Sequence, residues 1–447
     1  MSVCLREAAV PADANTGFPA LAVGCSGGPD SMALTCLLRN WSDSRSIPLT
    51  ALIVDHGLRP EASEEAAQVA DWLKDRGVRA VVLKHEGDRP KRNIQAEARR
   101  MRYDLMRDWC AAEGGQVLAV AHHLEDQAET FLLRLARGSG VDGLSAMAPV
   151  SGLPGDPYRN VTLIRPLLDI PRDQVRAVLE KTDWPFVSDP SNRDTRHARV
   201  RMRNLAGTLA DEGLDATRLA RTAQNMRRAR AALESATAAF LAGHASLDPL
   251  GFASLKRTAY AAADEEIALR ALSGLLRLVS GRDQPFRLGR LEDLAAGLRG
   301  NPPGPRTLGG CRVETRAGNI LLCREASAIG PPAPAQRSML WDSRFRLEID
   351  GDFDGLTVGR LGAEGVRQAR AGGLAGDLFE SLPGAARAAL PALWKGEALV
   401  AIPGSVGDRT GQLECPTAGF VTFEFAGMAA WSRMVRGNST PGPSLRS

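Results

Sequence analysis

Leu21-Ala-Val-Gly-Cys-Ser-Gly-Gly-Pro-Asp-Ser31, followed by the apolar run Met32 to Leu38, decides how this chain is read. A short apolar segment ends in Ser26-Gly27-Gly28-Pro29-Asp30-Ser31, and a helix-compatible segment starts at once. The order is strand, glycine-rich turn, helix. Adjacent glycines let the backbone adopt positive φ and approach a ligand closely. The first amides of the following helix lack intrahelical partners and attract anions. Ser26 and Ser31 add hydroxyl donors, and the Asp30 carboxylate is a candidate oxygen ligand for Mg2+. The stretch reads as a cradle for the phosphates of a nucleotide, against the plainer reading of a turn between core elements.

The rest of the first 190 residues repeats the strand and helix alternation. Leu49 to Asp55, Val78 to Lys84, Gln116 to Ala121 and Val161 to Pro166 read as strands. Glu64 to Asp75, Ile94 to Ala112, Leu124 to Ala136 and Asp173 to Lys181 carry helical spacing. This pattern predicts a mostly parallel sheet covered on both faces, with ligands at the carboxyl ends of the strands. Polar clusters fall at those ends: residues 26–31, then Asp55-His56-Gly57, then His122-His123. Ser151 to Asn160 reads as a Gly/Pro-rich loop.

Each further cluster has two readings. Asp55 either caps the next helix or faces the nucleotide with His56. Gln95, Arg99 and Arg102 share a helix face, either as ordinary surface or as part of a site. His122 and His123, with Asp126, Glu129 and Thr130 on the following helix, fit a zinc site, a satisfied core pair, or polar groups turned toward the nucleotide. Zinc is disfavoured because adjacent residues point apart and no third ligand is evident. From Ser191 to Arg230, ten arginines face four acids, a local excess of six positive charges. That is a solvated helix face or a track for a nucleic-acid backbone.

The whole chain has 447 residues, 44% hydrophobic and 24% charged, with a net charge of +4. Such a length suggests about two to four domains. Of 56 basic residues only six are lysine. Seven scattered cysteines without a C-x-x-C pair argue against a disulfide scaffold, a zinc ribbon or an iron–sulfur cluster, and for a reducing cytoplasm. No apolar run approaches the roughly 20 residues of a membrane span. Met1 to Ala20 lacks the apolar centre of a signal peptide. Arg218 to Leu298 reads as helical, Cys311 to Cys323 as a β-hairpin, and Arg344 to Asp350 and Ala398 to Ile402 as strands. The expected organisation is an extension (1–19), a catalytic domain (20–215), a mainly helical domain ending in a hairpin (216–329), a small α+β domain (330–436) and a disordered tail (437–447).

The kinase-type motif G-x-x-x-x-G-K-[ST] is absent from the sequence, so no lysine is placed on the phosphates. S-G-G-P-D-S instead resembles the PP-loop of ATP pyrophosphatases, which break ATP at the α-phosphorus. Together with V-D-H-G-L from Val54, N-x-Q-x-x-A-R-x-x-R-Y from Asn93, A-H-H-x-x-D-Q-x-E-T-x-L-x-R from Ala121, R-G-S-G-x-x-G-L from Arg137, R-P-L-L from Arg165, D-x-S-N-x-D from Asp189 and R-N-L from Arg203, the sequence resembles the tRNA(Ile)-lysidine synthetase family. The match covers residues 20 to about 205. One departure is that Asn204 is followed by Leu205-Ala-Gly, where the family's R-N-x-x-R carries another arginine.

The resemblance implies an α/β fold: a parallel doubly wound, Rossmann-like PP-loop sheet domain followed by a helical domain and a small α+β C-terminal domain. It implies lysidine formation, in which the wobble cytidine of a tRNA(Ile) with a CAU anticodon is adenylated by ATP and AMP is then displaced by free lysine. It implies Mg2+ at Asp30 and nucleotide contacts from Ser26, Gly27, Gly28, Pro29, Asp30, Ser31, Asp55 and His56. Asp30, Asp126, His123 and Glu129 become the catalytic candidates. Arg99, Arg102, His122, Asp189, Asn192 and Arg203 become candidates for substrate contact. The partners implied are tRNA and lysine, without a membrane; the oligomeric state stays open, a homodimer included. Three rivals make different demands. A 2-thiolation enzyme of the same superfamily needs paired cysteines near the loop, and an ammonia-using synthetase needs a glutaminase. A tRNA-binding protein with an inactive nucleotide fold would bind RNA without releasing pyrophosphate.

Overall fold

Leu21, Ala22 and Val23 are fully buried, as a strand covered on both faces requires. In the computed structural model the described residues are 21–57, 62–85, 94–113, 117–154, 161–187, 198–282, 284–300, 304–374, 379, 382–403, 412–415 and 419–436. The expected N-terminal extension and C-terminal tail lie outside them. The chain divides into two compact units, Met1–Ala231 and Ala232–Ser447.

In the first unit, β1 (Leu21–Gly24) leads into α1 (Pro29–Asp43). Then follow β2 (Leu49–Asp55), α2 (Ala62–Asp75), β3 (Arg79–Lys84), α3 (Ile94–Ala112) and β4 (Val117–Ala119). Next come α4 (Leu124–Leu135), the short α5 (Val141–Leu144), β5 (Val150–Gly152), β6 (Thr162–Ile164) and α6 (Arg172–Thr182). The unit ends in α7 (Ala198–Asp211) and α8, which starts at Ala216 and continues to His244.

Among the described residues of this unit six strands lie in the order β3-β2-β1-β4-β6-β5. All neighbouring pairs are parallel except β5 with β6. The chain progresses outward from β1 in one direction to β2 and β3, then returns to the other side of β1 for β4. This reversal opens a crevice at the carboxyl ends of adjacent strands. Alternation along β1 divides the packing: Leu21 and Val23 join Met32, Val69 and Leu179 on one face, and Ala22 joins Leu52, Tyr103 and Met106 on the other. Within the expected loop at 151–160, Ser151 and Gly152 pair with Leu163 and Thr162 as an edge strand, because a three-residue antiparallel pairing needs no periodic signal of its own.

In the second unit the segment expected as purely helical contains two short strands, β7 (Ala245–Leu247) and β8 (Ala253–Lys256). They precede α9 (Arg257–Ala262), α10 (Glu265–Ser280) and α11 (Leu288–Arg299). After β9 (Arg306–Leu308), β10 (Cys311–Arg316) and β11 (Asn319–Arg324) form a hairpin whose β11 pairs with β8, so the strands are recruited by a distant edge that local composition does not reveal. Among the described residues two four-stranded sheets complete the unit. One cluster joins Leu272, Leu276 and Leu322 to Phe345, Val358, Leu393 and Phe423, so residues on both sides of position 330 share a core.

The second unit also buries an ionic triad. Asp342 accepts from Arg324 Nε and Nη2 at 2.9 and 2.8 Å and from Arg344 Nε at 2.7 Å. Arg344 is 2% exposed and also donates to the Ala389 carbonyl. Removing the shared carboxylate strands two guanidiniums in a low-dielectric core. Asp342→Ala should therefore destabilise this unit by about 3–5 kcal/mol, read as a lowered urea midpoint.

Candidate active site

Gly27 has φ +78, and a Cβ there would lie 2.5 Å from Val69 Cγ2 on α2. The turn thus needs glycine for both its handedness and its packing. It is held from within as well. Ser31 Oγ donates to the Gly28 carbonyl at 2.9 Å and accepts from the Ser26 amide at 3.2 Å. The Val187 amide donates to the Gly27 carbonyl at 2.8 Å. Gly28 is the N-cap of α1 and Pro29 begins its first turn, where a missing N–H costs nothing. Asp30 follows in that turn, and its Oδ1 is buried without a hydrogen-bond partner. Cys25, just before the turn, is fully buried, and burial pushes its thiol up, so it is an inert packing group.

On the neighbouring strand, Asp55 accepts from Ser63 Oγ at 2.5 Å and from the Gly57 amide at 2.9 Å. The Ser63 hydroxyl is the main reason its carboxyl lies below the usual range. Asp55 therefore closes its own turn through Gly57 and ties the strand end to α2 through the Ser63 side chain. His56 Nδ1 is buried without a partner, and burial, with Arg102 nearby, pulls its pKa down to about 4.

Past β4, His123 is 2% exposed and acts as N-cap of α4 in a capping box with Asp126, whose Oδ2 accepts the His123 amide at 3.0 Å. Its Nδ1 lies 2.9 Å from Glu125 Oε2. Its Nε2 lies 3.4 Å from Asp126 Oδ2 and 3.7 Å from Asp30 Oδ2. Burial alone would lower its pKa, but the Glu125 hydrogen bond and the Asp126 and Asp30 charges outweigh it and hold the imidazole above its ordinary value. His122 behaves in the opposite way: desolvation leaves it neutral, near 3, against a partial pull from Asp126.

Glu129 Oε1 accepts from Arg203 Nε at 2.8 Å, while Oε2 is buried without a partner. Burial raises its carboxyl despite Arg203. Arg99 donates to the Tyr103 hydroxyl at 3.3 Å, and both Arg99 and Arg102 are exposed along α3. Asp189 and Asn192 lie outside the described residues. The structure thus brings Asp30, His123, Asp126 and, through Arg203, Glu129 to one end of the sheet, with Asp55 and His56 on the adjoining strand.

Two residues escaped the sequence reading. Glu125 joins α4 to α6, accepting the Arg172 amide at 3.1 Å as well as facing His123. Arg172 Nη2 lies 3.7 Å from Asp30 Oδ2. A cation in the first turn of a helix opposes the dipole, and that misfit was the available signal. Conversely, two motif residues serve the scaffold. Gln127 exchanges two 2.8 Å bonds with the Met147 backbone, and Arg165 holds the Ala148 carbonyl at 2.7 Å. Among the described residues no group of three or more His, Cys, Asp or Glu is placed to hold a metal. No described helix is long and apolar enough to cross a membrane.

A pocket of about 120 Å³ adjoins this cluster, with Glu125, Glu129, Arg172 and Arg203 beside the apolar Leu132 and Met202. A larger groove of about 770 Å³ runs along the same unit, lined among others by Pro171, Thr217, Arg221, Gln224 and Arg228.

Residues 6–208 match the model of a PP-loop domain. The tRNA(Ile)-lysidine synthase of Ruegeria pomeroyi is 37% identical over 88% of this chain and 91% of its own. The chain belongs to the tRNA(Ile)-lysidine synthase family. The Methylobacterium nodulans member is 40% identical over 67% of this chain and 88% of its own. Among solved structures, the U34-tRNA thiolase NcsA from Methanococcus maripaludis aligns at a TM-score of 0.41 and 18% identity, over 50% of this chain and 78% of that one. Family membership makes this an ATP-using PP-loop enzyme of tRNA modification.

The two depressed histidines give the site a pH signature. In the unfolded chain they take protons near 6.5, but in the fold only near 4 for His56 and 3 for His122. The unfolded state then holds more protons between those values, so stability should fall as pH drops from about 6.5 toward 4. Melting curves across that window should show a shallower loss for His56→Gln than for wild type.

Proposed function

We propose that this lysidine synthase family member joins free lysine to C2 of the wobble cytidine in a CAU-anticodon tRNA(Ile), converting ATP to AMP and pyrophosphate. The observation that carries the reading is the meeting, at one sheet end, of the phosphate-cradling turn with His123, Asp126 and the pocket at Glu129. A cytosine carbonyl carbon is a poor electrophile, and adenylation gives it a leaving group. The amides and hydroxyls of residues 26–31 support the charge that develops on phosphate. Asp30 Oδ1, buried and unpartnered, suits one oxygen of a Mg2+ otherwise held by phosphate and water, and the ion would offset charge on the leaving pyrophosphate.

The small pocket suits the amino acid. Its apolar walls accept an aliphatic stem, the free Glu129 oxygen an ammonium, and Arg203 a carboxylate. Free lysine has a pKa of about 10.4, so about one molecule in a few thousand is neutral at pH 7. Asp126, hydrogen-bonded to the His123 amide, is our candidate to take the surplus proton. His122, neutral and with an unpartnered Nδ1, is a candidate to orient the cytosine. Arg99, Arg102 and the groove bearing Arg221 and Arg228 suit the RNA backbone. Asp189 and Asn192 stay candidates for the substrate side, and the cytoplasm is the proposed location.

With ATP, Mg2+ and unmodified CAU-anticodon tRNA, AMP release should depend on lysine among the amino acids tried in turn. Release with every amino acid, or with none, would refute the reading. Asp126→Asn should lower turnover without changing tRNA affinity. Glu129→Gln should raise the lysine KM about 10- to 100-fold and leave adenylation in the absence of lysine intact.

A further inference from the structure

Arg172 has donors that the fold leaves unused. Its Nε is buried without a hydrogen-bond partner. Its Nη2 stands 3.7 Å from Asp30 Oδ2, beyond hydrogen-bond reach. Its backbone is nonetheless anchored, because the amide donates to the Glu125 carboxylate at 3.1 and 3.3 Å. A guanidinium fixed at its base, set in the helix turn least suited to a cation, is placed to meet an anion from outside the protein.

The location narrows that anion. The glycine-rich turn contains no lysine, so positive charge for the phosphates must come from other elements. Arg172 faces Asp30 of that turn and also lines the pocket that holds Glu129 and Arg203. It therefore borders both the nucleotide loop and the proposed amino-acid seat. The group shared by the two half-reactions is the α-phosphoryl group.

We infer that Arg172 is a catalytic residue that grips the α-phosphate, donating to its non-bridging oxygens in both steps; the inference rests on the ligase reading above. In the first step the bond from cytidine O2 to Pα forms and the bond from Pα to the β-phosphate oxygen breaks, with its electron pair leaving on pyrophosphate. In the second the lysine nitrogen bonds to C2, the C2–O bond breaks, the pair leaves on AMP, and the amine proton passes to Asp126. The α-phosphoryl oxygens carry negative charge throughout, and Arg172 offsets it.

Calorimetry with AMP and with adenosine separates the phosphate contact from the rest of nucleotide binding. In Arg172→Gln, AMP affinity should fall about tenfold while adenosine affinity stays at the wild-type value. Single-turnover formation of adenylated tRNA, measured without lysine, should slow by about 10²- to 10³-fold. Arg172→Lys should recover part of both losses, and unchanged adenosine binding certifies the fold. Wild-type AMP affinity together with wild-type adenylation would overturn the inference. So would an effect confined to the lysine KM, which would assign Arg172 to the amino-acid carboxylate. If wild-type protein forms no adenylated tRNA, the ligase reading falls first and this inference with it.

Discussion

Three carboxylates converge on one buried imidazole. Glu125 meets His123 through Nδ1, while Asp126 and Asp30 stand on its Nε2 side. Acids crowded in low dielectric repel one another, and the arrangement holds only if cations share the space. His123 is held toward its charged form by those acids, and Arg172 stands across from Asp30. The nearby Glu129 and Arg203 repeat the same balance at a second point. The site is thus an alternating lattice of charge, and His123 depends on its neighbours for its protonation state.

The sheet makes this convergence possible. β2, β1 and β4 are adjacent and parallel, so the clusters that follow them emerge side by side although about 100 residues of sequence separate the first from the last. Burial of β1 on both faces leaves the chain one exit, through the glycine turn. Helices α1, α2 and α6 fill one face and α3 the other.

Much of this was written locally. Strand, turn and helix at 21–43, the helix at 94–112 and the hairpin at 311–324 each carry their own periodicity or glycine signal. The site candidates were legible where motif residues sit at strand ends. The rest was not, because it depends on partners remote in sequence. Glu125 gains its place only when α6 arrives to be capped, and Arg172 only when α1 stands opposite. β7 and β8 are strands because a distant hairpin offers them an edge. Gln127 and Arg165 belong to motifs shared with the family, yet both clamp the backbone at 147–148.

The capping of α4 by His123 couples helix and chemistry in one turn. Asp126 accepts the N-cap amide of that helix, and it and Glu125 also flank the imidazole. Fraying that single turn would release His123, Glu125 and Asp126 together. Heat inactivation would then follow the opening of a few residues rather than the melting of the molecule, and the enzyme would fail while most of its structure still stood.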